Sequence, residues 1–107
     1  MEAPAATIDI DRSGRHLTVY VSGELDGRTA PELADQIIDR VADDDEVVWL
    51  DLSSVTFCGS AGVGMLVRVS EHVELVGGRC TLYDPAPCVR RVLEVCRLDR
   101  AFATWTG

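Results

Sequence analysis

The apolar residues of this chain change their spacing several times along its length, and a turn signal marks each change. Residues 7–11 (Thr-Ile-Asp-Ile-Asp) and 16–22 (His-Leu-Thr-Val-Tyr-Val-Ser) alternate apolar and polar side chains. That period of two puts one face of a strand on a core and the other in water. Arg12-Ser13-Gly14-Arg15 between them is turn-like, so the pair predicts a hairpin. After Gly23-Glu24-Leu25-Asp26-Gly27-Arg28 the spacing becomes helical. Thr29-Ala30-Pro31-Glu32 has the form of a capping box, with Thr29 as the cap, Pro31 in the first turn and Glu32 reaching back. The helix is expected to run to about Ala42, with Leu33, Ile37 and Val41 as its apolar stripe and Asp35, Asp39 and Arg40 on the wet side.

The acidic run Asp43-Asp44-Asp45-Glu46 is unfavourable at the negative end of a helix dipole and reads as a solvated loop. Val47-Val48-Trp49-Leu50-Asp51-Leu52 is almost continuously apolar, the pattern of a central strand covered on both faces. Helical spacing resumes after Ser60 with Gly62, Leu66, Val69, Val73 and Val76, and Gly77-Gly78 supplies the stop. Arg79 to Tyr83 reads as a strand. Asp84-Pro85-Ala86-Pro87 then opens a third helix with Val89, Val92, Leu93 and Cys96 on one side, and residues 101–105 form a short last strand or a docking segment. Strands alternating with helices predict an α/β fold: a mixed, mostly parallel sheet of four to five strands with three to four helices packed on it. At 107 residues there is material for one core, so residues 1–107 are expected to form a single domain.

Charge narrows the function. The net charge is −8, all ten basic residues are Arg, and residues 1–51 carry −9 against +1 for the remainder. Nucleic-acid binding draws its affinity from clustered cations that displace counterions from phosphates, so no nucleic-acid partner is expected. Any acidic partner should prefer the second half. No apolar run approaches the length of a membrane span, and Met1-Glu2-Ala3-Pro4 has neither the basic start nor the apolar stretch of a signal peptide, which points to the cytoplasm. Cys58, Cys80, Cys88 and Cys96 form no C-x-x-C pair and are expected as free thiols. His16 and His72 lie far from one another and from any Cys at zinc-site spacing, so no metal and no cofactor is expected.

The densest signal is Asp51-Leu52-Ser53-Ser54-Val55-Thr56-Phe57-Cys58-Gly59-Ser60-Ala61-Gly62-Val63-Gly64, which joins the central strand to the second helix. A helix N-terminus offers unpaired N–H groups and positive partial charge to an anion. A P-loop needs a Lys after its last Gly, and the chain has no Lys. A dinucleotide fingerprint needs G-x-G-x-x-G, and Gly59, Gly62 and Gly64 run in the opposite order. A hydrolase elbow needs Gly two residues either side of its Ser, whereas Gly59 adjoins Ser60. Cys58 could act as a thiolate at the helix end, but no basic residue before Arg68 supports it, and a small buried hydrophobe is the plainer reading. Ser60 itself has two readings, an N-cap or an acceptor of phosphate delivered by another protein.

Residues 48–64, together with Gly23-Glu24-Leu25-Asp26 and the following Thr29, resemble the STAS domain, in particular the bacterial anti-sigma-factor antagonists. The resemblance implies a non-enzymatic binding module with no catalytic residue. Unphosphorylated, it would bind an anti-sigma factor that is itself a serine kinase and so release a sigma factor; a PP2C-type phosphatase would reverse the modification. It further implies that Ser60 is the phosphorylated residue and that Asp26 supports its phosphorylation, with Asp26 read alternatively as a turn former. Arg28, Gly59 and Gly62 join them as expected contact residues, and Val63 and Val67 as exposed apolar anchors. The family usually carries Asp before that Ser, where this chain has Gly59. An alternative is a STAS module of another complex, such as a lipid-transport or stress-sensor assembly, in which Ser60 only caps its helix.

Overall fold

A computed structural model of the protein describes residues 5–106; residues 1–4, where the absence of a signal peptide was read, and residue 107 lie outside the described residues. The elements follow as β1 (Ala6–Ser13), β2 (His16–Leu25), α1 (Ala30–Arg40), β3 (Val47–Cys58), α2 (Ser60–Leu75), β4 (Arg79–Tyr83), α3 (Pro87–Val95) and β5 (Ala103–Trp105). They make one five-stranded sheet in the order β1-β2-β3-β4-β5, antiparallel between β1 and β2 and parallel elsewhere. The expected sheet and its three helices are present. The hairpin turn is tighter than the sequence suggested: Ser13 already pairs with His16, leaving Gly14, at φ +59°, and Arg15 to reverse the chain.

Because each helix carries the chain to the next strand on the same side, right-handed crossovers stack all three helices on one face of the sheet. Leu17, Val19, Val21, Val48, Leu50, Leu52 and Leu82 point into that helical layer and are buried. The residues alternating with them, Thr18, Tyr20, Trp49, Asp51 and Tyr83, are half-buried or exposed on the other face. The expectation that β3 is covered on both faces is therefore corrected. Its apolar run contains Trp49 and Asp51 at alternate positions, and both are only half-buried.

Three helix details also differ. Glu32 is exposed and completes no capping box: Thr29 has no side-chain capping bond, and Asp26 serves the helix entry instead. The first helix ends at Arg40 because Val41 turns extended. The third ends at Val95, which leaves Cys96 exposed rather than on the apolar side.

The largest departure is Asp45. Its neighbours Asp43, Asp44 and Glu46 are exposed, but Asp45 is only 2% exposed. Its carboxylate accepts the Ala42 N–H at 2.8 Å and pairs with the Arg12 guanidinium at the far end of β1, whose second nitrogen donates to the Arg40 carbonyl at 2.9 Å. A buried charge persists only when paired and hydrogen-bonded, and here both conditions are met. Arg12 and Ala42 together hold the Asp45 carboxyl below the ordinary carboxylate range, against the opposing effect of burial. No helix among the described residues is long and apolar enough to cross a membrane.

Candidate functional site

The parallel pairing of β2 and β3 ends at Leu25 opposite Cys58, and the Gly59 N–H donates to the Leu25 carbonyl at 3.1 Å. Asp26 and Gly59 thus leave the sheet side by side at the carboxyl edge of the parallel strands, where sites on such sheets gather. Two glycines shape this edge. Gly23 sits at φ +97°, and a Cβ there would meet the Ala5 carbonyl oxygen at 2.2 Å. A Cβ on Gly62 would meet Cys58 Sγ at 2.6 Å and Leu25 Cβ at 3.0 Å, so its hydrogen lets α2 press onto the strand ends.

On the first side of the edge, Asp26 organises its own turn. Its Oδ1 accepts the N–H groups of Arg28 at 2.9 Å and Thr29 at 3.1 Å, while the Thr29 hydroxyl accepts the Asp26 N–H and donates to the Glu24 carbonyl at 2.6 Å. These backbone donors lower the Asp26 pKa, with a further contribution from the Arg28 guanidinium 3.8 Å away. The turn-former reading of Asp26 holds, and its carboxylate remains accessible at 29% exposure.

On the second side, Gly59 is the N-cap of α2 and Ser60 its first residue, so Ser60 is not the cap that the sequence allowed. Ser60 is exposed. The Gly59 carbonyl already accepts the N–H groups of Gly62 and Val63, and those of Ser60 and Ala61 have no partner among the described residues. An anion on the Ser60 oxygen would therefore stand at the positive end of a sixteen-residue helix with free donors beside it.

Of the other expected contact residues, Arg28 is exposed and Val67 is half-buried. Gly62 is buried, and so is Val63, at 6% exposure, which corrects its assignment as an exposed anchor. Helix α2 packs against α1 and α3 as well as against the sheet, so its buried face is wider than one stripe. The apolar surface at this edge is Phe57, 48% exposed and paired with Glu24, a residue the sequence reading passed over as part of the strand exit. No signal in the sequence marked it: Val55 and Cys58 on either side are buried, and register shifts in the pairing of β2 with β3 disturb the alternation there.

Cys58 is buried, its thiol 3.7 Å from the Gly59 carbonyl oxygen, and burial pushes its pKa to about 11. The thiol is therefore neutral at ordinary pH and unsuited to nucleophilic attack. Among the described residues no group of three or more His, Cys, Asp and Glu is placed to hold a metal ion.

The fold and this edge define a small α/β domain that presents an exposed serine, a carboxylate and an aromatic ring at the carboxyl edge of its parallel strands. The family model for the STAS domain matches residues 7–106, and the chain belongs to that family. Its relatives include the anti-sigma-F factor antagonist RsfB of Mycobacterium tuberculosis, 34% identical over 106 residues that cover 95% of this chain and 84% of RsfB. A STAS-domain containing protein of Pseudomonas aeruginosa is 26% identical over 83% of this chain and 87% of its own length. Among solved structures, an anti-sigma factor antagonist from Mycobacterium paratuberculosis superposes with a TM-score of 0.82 at 32% identity, covering 98% of this chain and 90% of that one. The unphosphorylated form of the antagonist SpoIIAA shares the fold, with a TM-score of 0.76 at 21% identity over 94% of this chain and 88% of its own.

Proposed function

We propose that this chain is a cytoplasmic, non-enzymatic anti-sigma-factor antagonist switched by phosphorylation of Ser60. Unphosphorylated, it binds an anti-sigma factor with serine-kinase activity and releases the sigma factor that partner holds; the kinase then modifies Ser60, and a PP2C-type phosphatase restores the binding form. The observation that carries the reading is the exposed Ser60 hydroxyl at the first residue of α2, beside the Asp26 turn. Names of the relatives, anti-sigma factor antagonists among them, support the partner class.

Physical chemistry supports the switch. Phosphorylation adds about −1.5 to −2 charges, which the helix N-terminus tolerates within the domain. In a complex the same dianion would lie at the contact surface formed by Asp26, Arg28, Gly59, Ser60 and Phe57, where an unpaired charge is costly to bury. Asp26, already held as a carboxylate, stands at the same sheet edge as the Ser60 hydroxyl, where a kinase would meet both. Gly59 replaces an acid beside Ser60 and so leaves one like charge fewer near the incoming phosphate.

The test pairs intact mass with affinity. Incubated with ATP and the anti-sigma factor encoded in the same genome, the wild-type chain should gain one phosphate and Ser60→Ala none. Ser60→Ala should keep wild-type affinity for that factor, and Ser60→Asp should bind at least tenfold more weakly. Equal affinities for the two variants would remove the switch from this residue.

A further inference from the structure

The open face of the sheet gathers side chains that neither the core nor the Ser60 edge uses. The chain contains two Trp and two Tyr. All four, Tyr20, Trp49, Tyr83 and Trp105, line one groove of about 510 Å³ together with Thr18 and Asp51. Strand register brings them there: Tyr20 pairs with Asp51, Asp51 with Tyr83 and Tyr83 with Trp105, while Trp49 stands in the adjacent row beside Thr18. The Tyr83 and Trp105 rings stack with centroids 4.8 Å apart, and Trp49 meets Tyr83 edge-on at 6.4 Å and 82°. The groove therefore has aromatic surfaces that meet near a right angle. They are not sealed as a core would be, since Tyr20 is 43% and Trp105 48% exposed.

The charged side chains in the two rows that line the groove are all acidic, and Arg79, on the same face, lies in the next row, opposite Val47. Asp51 Oδ1 accepts the Ser53 N–H at 3.0 Å and the Ser53 hydroxyl at 2.6 Å, and its Oδ2 has no partner among the described residues. Strand β1 continues the two rows with further acids, Asp9 opposite Tyr20 and Asp11 opposite Thr18, and no Arg stands in either row. Aromatic faces carry a negative quadrupole and attract cations, most strongly where Trp contributes. An anionic ligand would be repelled, and a neutral apolar one would leave the free Asp51 oxygen without a partner. The volume lies in the range of small-molecule sites.

We infer that this groove binds a small organic cation of the quaternary ammonium type, seated against the Trp49 and Tyr83 rings with its charge toward Asp51. The site lies on the face opposite the helices and is independent of the Ser60 reading. Because both Trp residues line the groove, intrinsic fluorescence reports on it without a label. Titration with benzyltrimethylammonium and with choline should give a saturable change in emission, and 3,3-dimethylbutan-1-ol, the uncharged isostere of choline, should bind at least about tenfold more weakly. Asp51→Asn, which keeps an acceptor for Ser53, should weaken both cations by a similar factor at an unchanged unfolding midpoint. Should that variant fail to fold, Trp105→Leu on the exposed edge strand should weaken them while Trp49 still reports. The inference is overturned by the absence of saturation, by equal affinity for choline and its isostere, by unaltered binding in folded Asp51→Asn, or by binding of an Arg-containing peptide without binding of the small cations.

Discussion

Two aspartates at opposite edges of the same sheet share a chemistry and differ in use. Asp26, at the carboxyl edge, accepts two backbone N–H groups and has Arg28 nearby, yet remains partly open to water. Asp45, at the amino edge, accepts one backbone N–H and the Arg12 guanidinium and is sealed. Both carboxyl groups are held below their ordinary range, for Asp26 chiefly by backbone donors and for Asp45 chiefly by the guanidinium. A charge left accessible on a loop is available to a partner, whereas a charge closed in by an element 33 residues away holds the fold together.

Breaking the sealed aspartate should have the largest effect on stability. Asp45→Ala leaves the Ala42 N–H unpaired and the Arg12 guanidinium without its anion, and should lower the unfolding free energy by about 2–3 kcal/mol in urea titration. The matching Asp26→Ala change should move the midpoint less and reduce phosphate incorporation at Ser60 more. If the two variants were equally destabilised, the contrast between the edges would collapse.

Acid sharpens the same contrast. A carboxyl whose folded pKa is depressed contributes stability above its unfolded value, near 3.9, and loses it as pH falls through the folded value. Wild-type stability should thus hold from neutral pH to about pH 4 and decline below it, and Asp45→Asn should begin lower and decline less steeply. Urea midpoints measured across that range read the difference directly.

The smallest expected effect lies beside Ser60. Gly59 caps α2 at φ −95°, a conformation open to any residue, and a Cβ would rest against the Phe57 ring at 3.4 Å. Gly59→Asp should therefore fold normally and stabilise by a few tenths of a kcal/mol through N-capping. The same carboxylate should slow phosphorylation of Ser60 if like-charge repulsion governs that step, which a phosphorylation time course measures.

Much of this is legible in the amino-acid sequence. The alternation in residues 7–11 and 16–22, the proline and glycine punctuation and the helical spacing after Ser60 all report local geometry, and the elements they predicted are present. The adjacency of Asp26 and Ser60 was legible too, because parallel neighbouring strands deliver both to one edge. Val63 was misread because a helix stripe is inferred as if one surface faced it, while α2 meets the sheet and two helices. Phe57 was hidden within an apolar stretch whose strand continued to Cys58.

Periodicity and turn chemistry act over a few residues, and they suffice for the order of elements, the sheet type and the turn that carries Ser60. The burial of Asp45 against Arg12, the open face of the sheet and the meeting of both Trp and both Tyr upon it arise from packing between distant segments. Periodicity says which side chains share a face. What lies against that face depends on strand order and crossover hand, which bring together residues far apart in the chain.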